Sequence, residues 1–355
     1  MTTDATVPRI EIAPGYEISR IIRGGWQMAT GHGQLRGSDP VGDMLAFVDA
    51  GITTFDCADI YTGVEELIGR FRLRYGELHG ADALRRIKVH TKVVPDLDIL
   101  PTITRGYVES VIDQSLRRLH MERLDLVQFH WWDYAAPRWL ETAHWLDELR
   151  TAGKIDRVSL TNFDTDHLRA MVNDGIPVSS LQLQYSLLDR RPQKRMVAAA
   201  AEHRVALFSY GTVAGGFLGD AWLGKTEPTG ALENRSLIKY KLIIDDFGGW
   251  DLFQRLLRAL RAVADRYGAD IATVASGAVL ARGGIAAVIV GARNRDHLAA
   301  NVAIGTLQLS SDDLAEIEAV LADAHELEGD VYSLERDRSS KHGSIMKYNL
   351  NKGAA

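Results

Sequence analysis

Short apolar runs of strand length recur along nearly the whole chain, and helical segments separate them. Runs at 21–23, 52–55, 87–91, 124–129, 157–160, 180–183, 205–209 and 286–290 are rich in β-branched and aliphatic residues. Asp39-Pro40 opens a helix through 50, with Asp as the cap and Pro in the first turn. Further helices are expected over 64–75, from Pro101, over 137–152, 165–173 and 192–203, and then over 251–267 and 271–281. In the Pro101 helix, Val108, Val111, Ile112, Leu116 and Leu119 fall on one face. After the last strand, one helix runs from Asp296 and another over 312–324. About eight strands alternating with helices in one series is the pattern of an α/β (β/α)8 TIM barrel. A doubly wound sheet alternates in the same way, but no dinucleotide-binding glycine fingerprint opens this series. An alternating stretch around Pro14-Gly15, residues 9–19, adds an N-terminal β-hairpin. An extra C-terminal helix and a tail follow the barrel, and no composition break divides 1–355 into more than one domain.

A barrel of parallel strands gathers its functional groups at the strands' carboxyl ends. Polar residues stand at just those places: Asp56 with Tyr61 five residues on, then Lys92, His130, Asn162 after Thr161, Gln182, Tyr210 and Arg293. Any one of them alone reads as a solvated loop residue; in register, strand after strand, they read as one mouth. The first four form a coherent acid–base set. A free phenol titrates near ~10, too high for an efficient acid at neutral pH, and a neighbouring ammonium lowers it. Lys92 is placed to do this for Tyr61, Asp56 to hold Lys92, and His130 to donate a hydrogen bond that orients a carbonyl. That set suits protonation of a nascent alkoxide. The matching hydride can come from no side chain, so a nicotinamide is implied.

Composition removes several other classes. The 355 residues are 46% hydrophobic and 25% charged with net charge −6, and no basic stripe or basic amphipathic face suggests nucleic acid or a membrane surface. The first residues lack the charged and apolar regions of a signal peptide, and no apolar run is long enough to span a bilayer. The lone cysteine, Cys57, leaves no internal disulfide or multi-cysteine metal site and fits a reducing cytoplasm, where it reads as a small strand-end residue. The eleven histidines show no metal-ligand spacing, so no metal is expected.

Trp26, in the glycine-rich stretch 24–33, reads as a pocket wall; the stretch itself has no phosphate-loop pattern. Trp131, ahead of Trp132, is expected to wall a substrate, while Trp139 and Trp145 read as packing residues. His90 reads as a satisfied buried histidine and Asp245-Asp246 as solvated. The interval 211–249 reads as a loop longer than a connector needs, functional or disordered. The tail from 329 is either disordered or packs Tyr332, Ile345, Met346 or Tyr348 over the mouth or on another subunit.

The motifs FDCADIY, VHTK, LDLVQFH, GKIDRVSLTNF and VIVGARNRDHLAAN resemble those of the aldo-keto reductases, over roughly 18–322. The resemblance implies a single barrel domain with an extension over about 329–355 and Asp56, Tyr61, Lys92 and His130 as the catalytic tetrad. It implies that Thr161, Asn162 and Gln182 hold a nicotinamide carboxamide and that Tyr210 stacks on the ring. Gly291, Arg293, His297 and Asn301 would lie along the adenosine phosphate end. NADP(H) is the implied cofactor, with NAD(H) left open because His297 stands where arginine or glutamine is usual. The implied activity is interconversion of an aldehyde or ketone and its alcohol, by a monomer or homo-oligomer. Two alternatives stay open: a nucleotide-binding regulatory subunit resembling potassium-channel β subunits, and a non-redox barrel sharing only the fold.

Overall fold

A computed structural model describes residues 6–29 and 39–351. An antiparallel hairpin comes first, β1 (Arg9–Ala13) and β2 (Tyr16–Ser19), turned at Pro14-Gly15 with Gly15 at φ +72°. The apolar runs then pair as eight parallel strands: β3 (Ile21–Gly24), β4 (Thr54–Asp56), β5 (Lys88–Val93), β6 (Leu124–Phe129), β7 (Ile155–Thr161), β8 (Val178–Gln184), β9 (Ala206–Tyr210) and β10 (Ile285–Gly291). β10 pairs with both β9 and β3, so the sheet closes into a (β/α)8 barrel, and closure leaves no edge strand. Tyr16 and Ile18 of the hairpin pack with Ile22, Leu126, Phe208 and Ala287, which plugs the barrel's N-terminal end. The polar strand-end residues lie at the opposite end, where the strands finish.

Several boundaries differ from those read in the sequence. Pro101 opens no α-helix; it lies inside a 3-10 stretch, Leu97–Thr102, and the helix Arg105–Leu119 starts after Thr104, whose side chain accepts from Tyr107 N. The helix expected from Pro137 begins at Trp139, after Arg138 in a left-handed turn (φ +81°). The helix expected from Asp296 begins at Leu298, because Asn294 and Asp296 bond each other in the turn before it. The interval 211–249 is no long loop. It contains a helix, Arg235–Phe247, capped by Asn234 and buried through Tyr240, Ile243, Ile244 and Phe247. That i, i+3, i+4, i+7 spacing is an ordinary helical stripe.

The tail is ordered as a strap across the barrel mouth. Val331 and Tyr332 are buried, a short helix runs Ser333–Arg336, and Leu350 and Asn351 donate to the Asp96 carboxylate beyond β5. Residues 30–33 of the glycine-rich stretch lie outside the described residues.

Candidate active site

β4 ends at Asp56, whose carboxylate is 4% exposed and takes four bonds from three side chains. Lys92 Nζ reaches both oxygens at 2.7 Å, Gln128 Nε2 donates to Oδ1 at 2.8 Å, and Gln182 Nε2 donates to Oδ1 at 2.7 Å. The register explains the reach. Asp56 is level with His90 on β5, and Lys92, two residues further on, bonds back across to it. The third ammonium hydrogen goes to Cys57 O at 2.9 Å. A buried ion pair with every proton placed is held firmly, and removing either partner strands a charge.

Tyr61 follows β4 in a turn closed by Tyr61 N donating to Ala58 O, and its ring lies 4.9 Å from that of Trp26. Lys92 Nζ sits 5.3 Å from the Tyr61 ring centroid. The sequence suggests that this ammonium acidifies the phenol. Here the opposite holds: burial first, and the Asp56 charge second, push the phenol well above its ordinary value. Lys92 directs two of its hydrogens at Asp56 and the third at Cys57 O, and none at the phenol.

His130, the residue after β6, is 2% exposed. Its Nδ1 lies 3.1 Å from Thr161 O, a contact a nitrogen makes only as donor, so the proton is assigned to Nδ1. Burial, then the Arg336 charge, lower its pKa to about 3, so the ring is neutral at physiological pH. Nε2 is buried without a partner. It offers a lone pair rather than the N–H expected from sequence.

Thr161 Oγ1 faces Gln182 Oε1 at 3.4 Å, and Tyr210 donates to Asn162 Oδ1 at 2.8 Å, with Asn162 in a left-handed conformation (φ +61°). Gln182 is thus turned onto Asp56. Past β10, Arg293 and His297 are exposed, while Asn301 is buried with Nδ2 unpartnered. Gly291, at the end of β10, is exposed and lies against the Gln27 side-chain amide. An orphaned buried amide and an exposed guanidinium fit the adenosine and phosphate end of a nicotinamide dinucleotide.

The aromatic assignments change. Trp131 is fully buried against Phe129, with Nε1 donating to Asp133 O and Ala136 O, so it does not wall the mouth. Trp132 does: it packs edge-on to His130 at 4.2 Å and meets Tyr348 at 5.3 Å. Tyr332 covers His130 from the strap, edge-on at 5.7 Å. His90 is buried but not satisfied, since both ring nitrogens lack partners; it lies between Tyr16 and Phe208, and burial lowers its pKa to about 3. Asp246 is no solvated residue, because Lys341 and His342 of the strap both bond it.

The strap's main anchor is Glu335, unannounced by any sequence motif. It is wholly buried and paired with Arg191 at 3.2 Å and Lys239 at 3.3 Å. Arg191 in turn holds Asp189 at 2.7 Å. Arg336 donates to Trp131 O, carrying the strap over the end of β6. Among the described residues, no helix is long and apolar enough to cross a membrane, and no cluster of His, Cys, Asp or Glu is placed to hold a metal.

Comparison with known proteins finds a match to the Aldo/keto reductase family over residues 20–322. The aldo-keto reductase YhdN of Bacillus subtilis is 27% identical over 86% of this chain and 91% of its own length. Flagellar radial spoke protein 5 of Chlamydomonas reinhardtii is 25% identical over 61% of this chain, and the match spans only 47% of that protein. Among solved structures, the glycerol dehydrogenase AKR11B4 from Gluconobacter oxydans superposes with a TM-score of 0.72 at 22% identity, over 93% of this chain and 98% of its own.

Proposed function

Because the chain belongs to the aldo/keto reductase family, a family of oxidoreductases, we propose that it interconverts an aldehyde or ketone and its alcohol, with NADP(H) as the preferred cofactor. The observation that carries this reading is the Asp56–Lys92 pair buried beside Tyr61, with His130 across the same mouth. When bound, the nicotinamide supplies or accepts the hydride. Tyr61 delivers the proton to the carbonyl oxygen. Its raised pKa keeps it protonated, the form a general acid needs. Lys92 presents positive charge beside that phenol, and Asp56 holds it in place. His130, through its Nε2 lone pair, accepts from the alcohol hydroxyl or from a hydroxyl next to the carbonyl. Trp26, Trp132 and Tyr332 would give the substrate site flat, apolar walls.

Asn301, Gly291, Arg293 and His297 would hold the adenosine end, and Thr161, Asn162, Gln182 and Tyr210 the nicotinamide end. This requires Gln182 to release Asp56 as the carboxamide arrives. Quenching of tryptophan fluorescence by NADPH and by NADH tests the assignment. NADPH is expected to bind at least about tenfold more tightly, about 1.4 kcal/mol, and Arg293→Ala to erase most of the difference. Equal binding by the unaltered protein would discard the preference, and binding of neither would remove the oxidoreductase reading.

The raised phenol pKa sets a pH profile. The acid form of Tyr61 is the working form, so raising its pKa moves the alkaline limb upward. The reduction rate at saturating substrate is expected to stay level from pH 7 to beyond ~10. An alkaline limb near neutral pH would show Lys92 acidifying Tyr61 in the working complex.

One observation favours a second reading, a nucleotide-binding protein with little turnover: the strap leaves His130 only 2% exposed. Tight NADPH binding with no reduction across a broad carbonyl panel would decide for it.

A further inference from the structure

Gln128 sits inside the barrel on β6, level with Lys92 on one side and Ser159 on the other, and is fully buried. Its Nε2 donates to Asp56 Oδ1 at 2.8 Å, while its Oε1 is buried without a partner. An unpaired amide oxygen in a closed interior is costly, and an apolar side chain of similar length would avoid it. The amide cannot turn to relieve the strain either, since that would set Oε1 against a carboxylate. A residue that breaks the local rule this way is held for its donor.

We propose that Gln128 is a positioning residue for the reaction, fixing the Asp56 carboxylate so that Lys92 stays aimed beside Tyr61. Two other side chains donate to Asp56, and each has another task. Lys92 is the group being positioned. Gln182 also meets Thr161 and has to leave Asp56 if it is to hold a nicotinamide carboxamide. Gln128 is the neutral donor that remains on Oδ1 throughout. It never touches substrate or cofactor; its effect passes through Asp56 and Lys92. The inference rests on the roles given to those two residues above.

Gln128→Met keeps the length of the side chain and removes the donor. The expected result is a kcat lowered roughly 10- to 100-fold, the scale of a small misplacement in an active site. The carbonyl KM and the NADPH affinity are expected to stay within about twofold, and the melting temperature not to fall. A packing role would instead lower the melting temperature and leave kcat alone. An unchanged kcat overturns the proposal, as does a loss confined to KM. Crystal structures of the unaltered protein and of Gln128→Met give a readout free of turnover. In the variant, Lys92 Nζ is expected to lose one of its two Asp56 contacts, and retention of both overturns the proposal. If the unaltered protein reduces no carbonyl, the reductase reading fails, and the crystallographic comparison still decides whether Gln128 fixes Asp56.

Discussion

Tyr61→Phe is expected to lower kcat by roughly 10³-fold or more and to leave NADPH affinity within about twofold. The substitution is nearly isosteric. The ring would keep its contact with Trp26 at 4.9 Å, and the Lys92–Asp56 pair, which makes no use of the phenol, would be undisturbed. Only the dissociable proton is removed. Without it, a nascent alkoxide has Lys92, whose three hydrogens are already committed, and His130, whose Nε2 carries none. Neither replaces the phenol. Steady-state kinetics with a carbonyl that the unaltered enzyme reduces, paired with a fluorescence titration, gives both numbers. A variant that keeps its rate to within a few-fold would show that the proton comes from elsewhere.

Arg191→Met is expected to destabilise the fold by about 3–5 kcal/mol, the cost of stranding buried charge. Arg191 lies between Asp189 and Glu335, both wholly buried. Without it, the Asp189 carboxylate keeps only neutral donors, the Gln184 amide and the backbone N–H of residue 191, and Glu335 keeps Lys239 at 3.3 Å. The lowest-cost escape is to pull Glu335 out to water, which lifts the strap from the mouth. Denaturant unfolding measures the stability, and trypsin measures the strap, because the half-buried Arg336 then becomes accessible. A loss under about 1 kcal/mol with no faster cleavage would mean that the cluster is not what holds the strap. Acid should reach the same state. Burial raises the Glu335 pKa, but Arg191 and Lys239 outweigh it and hold it at about 2. A carboxyl depressed in the folded state stabilises fully above its unfolded value, near ~4.3, and this contribution is lost as pH falls toward 2.

Much of the barrel was legible because strand and helix periods differ and because most strands end at or beside a polar residue. The mouth followed from Asp56, Lys92, His130 and Gln182 once closure was assumed. Other features depend on three-dimensional pairing that no local pattern records. Trp131 and Trp132 are neighbours of one type, and only the direction of the chain after β6 decides which faces His130. His130 looked like a donor until the Thr161 carbonyl, supplied by β7, claimed its N–H. Gln128 drew no separate reading, since its partner Asp56 is 72 positions away. The helix Arg235–Phe247 was missed for a different reason: its apolar stripe was present, but glycines on both sides made the interval read as a connector. The strap was hard to read because its apolar residues are scattered and its strongest tie is a buried carboxylate, a type ordinarily found on surfaces.

The strap also bears on the order of events during synthesis. Barrel strands and their helices are complete by Leu321, and a chain emerging from the ribosome can pair them before the strap exists. His130 becomes covered only when Tyr332 arrives, and the ties to Asp246 and Asp96 come later still, from His342 and Leu350. A product that stops short of Val331, through stalling or clipping, would therefore carry every strand-end group with an open, wet mouth. The strap thus closes a mouth that the barrel strands have already built.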